Sequence, residues 1–301
     1  MDRVFKIGKY EIKDDDYMII GEIGNNHNGS VDLCCKLMLK AKECGCHAVK
    51  LQKRNIDTFW SKEVLDKPYE NENSFGKTYR EHKYALEFTK RQWEKVVKFC
   101  KKHKILLFST AFDEESVDFL ENFDLPAYKV ASAGHTDYLL IERIAKTDKP
   151  MIISVGGGNW TQLDLLHSQL VLNDIPQDQF CYLHCTAEYP PEAHHMNMRV
   201  IPNMLERYPN TQIGFSDHYV HSGDKGVMAY LAYALGARIF ERHFTFNRAW
   251  KGPDHKLSME PEEFTAMRHS LERMKVALGD GFKICYAEEI PNVAKMKKWR
   301  G

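Results

Sequence analysis

Two lysines set in apolar runs and two histidines late in the chain are the residues best equipped for chemistry. Lys50 lies in HAVKLQ and Lys129 in AYKVAS. A buried ammonium is costly unless it is paired, so each needs either a structural carboxylate or the phosphate or carboxylate of a substrate. Hydroxyls at Ser109, Thr110, Ser132, Ser154 and Ser216, together with loop amides, favour the phosphate. His218 in GFSDH and His243 in ERHF stand in runs that also carry Asp217 and Glu241, with Glu22 and Asp254 as further carboxylates. Such a set suits a divalent cation with positions left for a substrate oxygen, although a strand histidine is as readily structural. The glycine-rich SVGGGNW at 154–160 is either an anion cradle or a tight turn. His194 and His195 read as loop, Cys34 and Cys35 as core packing, and Lys295 to Arg300 as a solvated tail.

These residues must be positioned by something, and the apolar pattern says what. Eight short runs rich in β-branched and aromatic residues occupy 17–24, 47–52, 105–111, 127–132, 150–156, 180–186, 212–218 and 238–244. Segments with helical signals lie between them: VDLCCKLMLKAKECG after Ser30, TQLDLLHSQLVL after Asn159 and Trp160, and GVMAYLAYALGA running into a glycine. Eight βα units with near-continuous apolar strands predict a (β/α)8 TIM barrel, a single domain in the α/β class, with an open doubly wound sheet as the alternative. The barrel is expected over 17–279, with a short N-terminal extension (1–16) able to form a hairpin and a C-terminal tail (280–301). A charged, aromatic insertion occupies 53–90. The polar residues named above collect at strand C-terminal ends, where barrel enzymes keep their sites. Side chains two apart on a strand share a face, so Lys50 with Gln52, Ser216 with His218 and Glu241 with His243 are each expected to point into the mouth together.

Composition narrows the partners. Lysine plus arginine and aspartate plus glutamate both total 42 in 301 residues, which removes the positive field that a nucleic-acid or membrane-surface binder carries. No signal peptide and no membrane span is read from the N-terminus or the apolar runs, and the eight cysteines lack Cys-x-x-Cys spacing, so reduced, buried thiols in a cytoplasmic protein are expected.

At this point the motifs carry a resemblance. GEIGNNHNG (21–29), AVKLQ (48–52), NSFGKTYREH (73–82), AYKVAS (127–132), LHCTAEYP (183–190), GFSDH (214–218), ERHFT (241–245) and KGPDHKLSM (251–259) together resemble the N-acetylneuraminate (sialic acid) synthase family. The resemblance implies a metal-dependent barrel that condenses phosphoenolpyruvate with an N-acylated amino sugar such as N-acetylmannosamine. It implies His218 and His243 as ligands of a divalent cation (Mn2+, Mg2+ or Co2+), which would polarise the sugar aldehyde for attack by carbon 3 of phosphoenolpyruvate. Lys50, Thr110, Lys129, Ser132 and Ser216, with Ser154 beside them, would meet phosphoenolpyruvate, and Gln52, Tyr189 and Asp254 the sugar. Glu22 would act in catalysis or orient metal-bound water. A homo-oligomer, a dimer, is the expected assembly.

The chain departs from the family pattern in three places. Gly134 stands where an acid is usual, and Asp137 is the nearest carboxylate expected to replace it in catalysis. Ala187 follows HCT where Asn or Ser is usual, and with the sequence ending at Gly301 the family's antifreeze-like domain is expected to be absent. That domain brings an arginine to the acyl group of the sugar; in its place a basic residue of the 53–90 insertion, such as Lys77 or Arg80, is expected to fold over the mouth, or a separate cap-like protein to dock there. A non-catalytic regulatory barrel and another metal-dependent lyase or aldolase acting on a sugar phosphate remain the alternative functions.

Overall fold

The computed structural model describes residues 3–220 and 226–298. The eight apolar runs become eight parallel strands: β3 (Met18–Glu22), β4 (Ala48–Lys53), β5 (Leu107–Ala111), β6 (Tyr128–Val130), β7 (Met151–Ser154), β8 (Phe180–Cys185), β9 (Gln212–Asp217) and β10 (Ile239–His243). They close in the order β10-β3-β4-β5-β6-β7-β8-β9. The architecture is therefore the (β/α)8 barrel, and the open sheet is excluded. Ahead of it, β1 (Phe5–Ile7) and β2 (Tyr10–Ile12) pair antiparallel as a hairpin.

Closure creates two apolar layers. One lies between the strands and the helices outside them; the other fills the lower interior of the barrel with Met18, Ile20, Ala48, Phe108, Ile152, Cys181, Leu183 and Ile239. Phe5, Ile7 and Ile12 of the hairpin belong to the inner cluster, so the hairpin plugs the barrel floor. The site is thereby confined to the opposite mouth.

The helices form where the local signals place them. Ser30 caps Val31–Glu43 by accepting the Leu33 N–H, and Asn159 and Gln162 form a reciprocal capping box on Trp160–Leu172. Lys90–Lys102 buries Trp93, Val96, Val97 and Cys100, the stripe expected of an amphipathic helix against a sheet. Val227–Ala234 starts after Gly226 at φ +92°. The insertion folds into three short helices, Ile56–Phe59, Lys62–Leu65 and Tyr79–Leu86, tied together by ring contacts among Tyr69, Tyr79 and His82.

After Pro261–Leu278 the described chain runs exposed through the short helix Ile290–Met296; part of the basic run 295–300 lies outside the described residues. All eight cysteines are free and only Cys285 is exposed, the remainder sitting wholly or partly inside. Among the described residues no helix is long and apolar enough to cross a membrane.

Candidate active site

Strand register decides which polar ends become neighbours. Glu22 on β3 is paired with Lys50 on one side and His243 on the other; Gln52 is paired with Thr110, Thr110 with Lys129, and Ser216 with Glu241. Alternation then turns these side chains inward, and they line one cavity of about 570 Å³ at the mouth, with Ser132, Ser154, Tyr189, His218 and Asp254.

The floor of the cavity is a network of buried charges. Lys50 Nζ touches the Glu22 carboxylate and donates to Thr110 Oγ1 at 2.8 Å, with Glu241 Oε1 3.9 Å away. Lys129 Nζ donates to Ser154 Oγ (2.6 Å) and to the Val130 carbonyl (2.8 Å), with no carboxylate in contact among the described residues. Burial pushes the Glu22 carboxyl up to about 7 despite Lys50, with Glu241 adding to the rise. Burial also pushes Glu241 up, but Lys129 and Lys50 outweigh it and its carboxyl ends below the usual range. Lys129 is lowered by burial. The two lysines therefore differ: Lys50 touches a carboxylate, whereas the hydrogen bonds of Lys129 go to neutral oxygens and Glu241 acts on it only through space, which leaves its ammonium freer to meet an incoming anion.

His218 and His243 face each other with ring centroids 5.5 Å apart. His218 Nδ1 lies 3.3 Å from the Thr186 carbonyl; donating there leaves Nε2 as the lone-pair nitrogen. Tyr189 packs on the same imidazole, centroids 4.3 Å apart. His243 Nδ1 is buried without a hydrogen-bond partner, 3.9 Å from Asp254 Oδ2. Burial lowers His218 to about 4 and, with His218 and Lys50 beside it, takes His243 well below the ordinary range, so both rings are neutral. Two neutral imidazoles, one with an orphaned nitrogen, beside Asp254 and Glu241 fit a divalent cation. Among the described residues no group of three or more potential ligands converges, so further ligands would be oxygens of substrate or water. Asp217, a carboxylate of interest in the sequence, points outward instead and pairs with Arg242 at 2.5 Å.

Gln52 bridges the floor to the rim: its Nε2 donates to Glu22 Oε1 (2.7 Å) and its Oε1 accepts from Arg54 Nη2 (2.8 Å). Gly24, at φ +50°, sits where a β-carbon would lie 2.8 Å from Glu22 Oε1 and 3.2 Å from Gln52 Nε2. The glycine run after β7 is a tight turn: Gly156 donates its N–H to Ser132 Oγ at 3.1 Å, orienting that hydroxyl, and Asn159 caps the following helix.

One expected residue is elsewhere. Asp137 does not line the cavity; it is exposed, caps Tyr138–Ala145 and accepts the Leu140 N–H at 3.2 Å. The chain after β6 turns through Ser132–Gly134 straight into this helix, whose unpaired amides claim the carboxylate. Position 134 itself faces the outer core, where a β-carbon would meet Leu140 and Val130 at 3.3 Å. Lys77 and Arg80 also fail to reach the mouth: Arg80 pairs with Asp57 and Asp66, and neither residue lines the cavity.

The insertion does supply cations, but others. Arg54 and Lys83, basic residues of the 53–90 insertion as expected but not the two named, line the cavity with Asn25, Tyr79 and Phe112. Arg54 continues the alternation of Lys50 and Gln52 and was findable by that rule; Lys83 sits on a helix whose docking no local pattern announces.

The sequence profile described as NeuB family matches residues 37–283. The N-acetylneuraminate-9-phosphate synthase of Homo sapiens is 34% identical over 88% of this chain and 72% of its own length. The N,N'-diacetyllegionaminic acid synthase of Campylobacter jejuni is 30% identical over 93% of this chain and 83% of its own. The crystal structure of the N-acetylneuraminic acid synthetase from Leptospira borgpetersenii in complex with citrate superposes with a TM-score of 0.82 at 26% identity, covering 98% of this chain and 96% of that one.

Proposed function

The chain belongs to the NeuB family and is a synthase of that type, and from this premise we propose that it condenses phosphoenolpyruvate with an N-acylated amino sugar to a sialic-acid-type 2-keto-3-deoxy sugar acid plus phosphate. The observation that carries the reading is the meeting, in one cavity, of a buried lysine hydrogen-bonded to neutral oxygens and a pair of neutral histidines. Names of the relatives point the same way, since one is an N-acetylneuraminate-9-phosphate synthase and the other an N,N'-diacetyllegionaminic acid synthase. The catalytic unit is taken as 17–279.

In this reading Lys129, Ser154 and Ser132 receive the phosphate of phosphoenolpyruvate, with Lys50 and Thr110 completing the cradle. Lys129 carries the larger share, because Lys50 is already engaged by Glu22. His218 and His243 would hold a divalent cation, whose chemistry is to polarise the aldehyde oxygen of the open-chain sugar. Carbon 3 of phosphoenolpyruvate attacks that carbonyl carbon, positive charge develops at carbon 2, water adds there, and the carbon–oxygen bond to phosphate breaks. Glu22, poised near neutrality by burial, can in its carboxylate form, which Lys50 beside it favours, take a proton from the attacking water and become the neutral acid. Asp254, Asn25, Gln52 and Tyr189 face the space left for the sugar. Holding both substrates in register supplies much of the rate.

The test is phosphate release from phosphoenolpyruvate across a panel of aldoses and N-acyl hexosamines, with the product identified as a 2-keto-3-deoxy acid. Chelation should abolish it and added Mn2+, Mg2+ or Co2+ should restore it, while His218→Ala or His243→Ala should not be rescued. Release with no sugar of the panel, or full activity in a chelated sample, would overturn the reading.

A further inference from the structure

The cavity at the mouth has a neighbour that the chemistry above leaves unused. It holds about 510 Å³ between the turn after β7, the start of Trp160–Leu172 and the helix Val200–Arg207. Its floor is apolar, made by Val155, Leu163, Val200 and Met204, with Trp160 also in its lining. The lining holds no lysine, arginine or aspartate among the described residues. Its one carboxylate, Glu188, is engaged by His195 Nδ1 at 2.8 Å, and His184 Nε2 is bonded to the Met196 carbonyl at 2.8 Å. A charged ligand gains little in such a place, whereas an apolar group gains by leaving water.

The two cavities share a wall. Cys185 and Ala187 line both, so the stretch of chain leaving β8 divides them. That stretch also touches the histidine pair: Cys185 Sγ lies 3.7 Å and the Thr186 carbonyl 3.3 Å from His218 Nδ1. Ala187 is exposed, and as an alanine it puts a single carbon on the crest between the cavities. Below the crest the packing is tight, since a β-carbon at Gly156 would lie 2.9 Å from the Cys185 carbonyl oxygen and 3.3 Å from the Ala187 nitrogen. Passage from one cavity to the other therefore runs over Ala187. Covalent structure aims the acceptor at this crest. In an N-acylated 2-amino sugar the nitrogen is on the carbon next to the aldehyde, so an aldehyde held at the histidines brings the acyl group out beside them. Asp254 and Asn25, which follow β10 and β3, face the hydroxylated remainder on one side, and β8 lies beyond β9 and His218 on the other.

We propose that the second cavity is an acyl-chain pocket: the acyl substituent of the acceptor sugar passes over Ala187, and a straight chain longer than acetyl lies against Leu163, Val200 and Met204. The side chain at position 187 then sets the length of acyl group that the enzyme accepts. This rests on the synthase reading above.

The experiment follows phosphate release from phosphoenolpyruvate, with Mn2+ added, for N-acetyl-, N-butanoyl- and N-hexanoylmannosamine in the wild type, Ala187→Leu and Val200→Phe. In the wild type kcat/KM should rise with chain length by about 4-fold for each methylene that is buried, and by at least about 10-fold from acetyl to hexanoyl. Ala187→Leu raises the crest, and Val200→Phe fills the floor at a residue that does not line the mouth. Both should erase the gain with length while the N-acetyl sugar is used as well as before. A kcat/KM that fails to rise with length in the wild type, or a hexanoyl advantage that survives in either variant, would overturn the pocket while leaving the synthase reading intact. If no sugar supports turnover, the synthase reading falls. Calorimetric titration of the sugars without phosphoenolpyruvate then decides the pocket alone: N-hexanoylmannosamine binding more tightly than N-acetylmannosamine, with the difference lost in Val200→Phe, supports it, and equal binding or a difference that survives in Val200→Phe overturns it.

Discussion

At the scale of single residues, the two buried lysines are not equivalent. Lys129→Met removes a charge hydrogen-bonded to a hydroxyl and a carbonyl, so its main effect should fall on phosphoenolpyruvate, with KM raised about 10- to 150-fold and a loss of thermal stability smaller than that of Lys50→Met, since Glu241 loses a charge that acts on it through space and not a contact. Lys50→Met strips Glu22 of its counterion and should lower both affinity and the melting temperature. Adding Glu22→Gln to Lys50→Met should recover the stability without the activity. Equal melting temperatures for the two single variants would refute the asymmetry. Glu22 also sets a pH dependence. Its folded value, about 7, lies above the ordinary carboxyl value, so the folded state keeps the proton longer than the unfolded one. The stability tied to that proton is fully present below the ordinary value and is lost as pH rises to about 7. Glu22→Gln, with Lys50, Gln52 and Glu241 left in place, should therefore gain in melting temperature relative to wild type between about pH 5 and about pH 8. Parallel curves would show that Glu22 has an ordinary value.

At the scale of elements, Asp137 shows how a helix start can override a catalytic expectation. Its carboxylate is spent on the Leu140 N–H at the start of Tyr138–Ala145. Asp137→Asn keeps a capping oxygen, and both turnover and stability should stay near wild type. Asp137→Ala should cost about 1 kcal/mol of stability, read from denaturant unfolding, with kcat unchanged. A tenfold loss of kcat in Asp137→Asn would return the residue to catalysis. The turn after β3 makes the opposite case, because Gly24 holds Glu22, Gln52 and Asp254 together by leaving room for them.

At the scale of the whole molecule, the hairpin and the mouth are opposite ends of one closed sheet. Phe5 is fully buried in the inner cluster with Met18, Phe108 and Ile239. Phe5→Ala should cost about 3–5 kcal/mol in chemical unfolding, more than any exposed change in the insertion, although it touches no site residue. Unfolding within about 1 kcal/mol of wild type would mean that the barrel floor closes without the hairpin.

What the sequence by itself determined was direction and count. Eight apolar runs, caps such as Ser30 and Asn159, and alternation in pairs such as Lys50 with Gln52 are local properties, dictated by periods of two and 3.6 residues and by the needs of helix ends. They state that side chains face a mouth and not how far apart they stand there. Only closure of the sheet set Glu22 between Lys50 and His243, put a carboxylate against Lys50 and left the hydrogen bonds of Lys129 to a hydroxyl and a carbonyl. Closure also buried Glu22 and the two histidines deeply enough to shift their protonation, and burial is a property of the packed barrel rather than of any neighbour in the chain. Lys83 lines the cavity, and Lys77 and Arg80 do not, because ring contacts among Tyr69, Tyr79 and His82 fold the insertion and Phe59 against Phe112, with the Asn55 N–H on Asp113, holds it to the barrel, contacts that no period in the chain encodes.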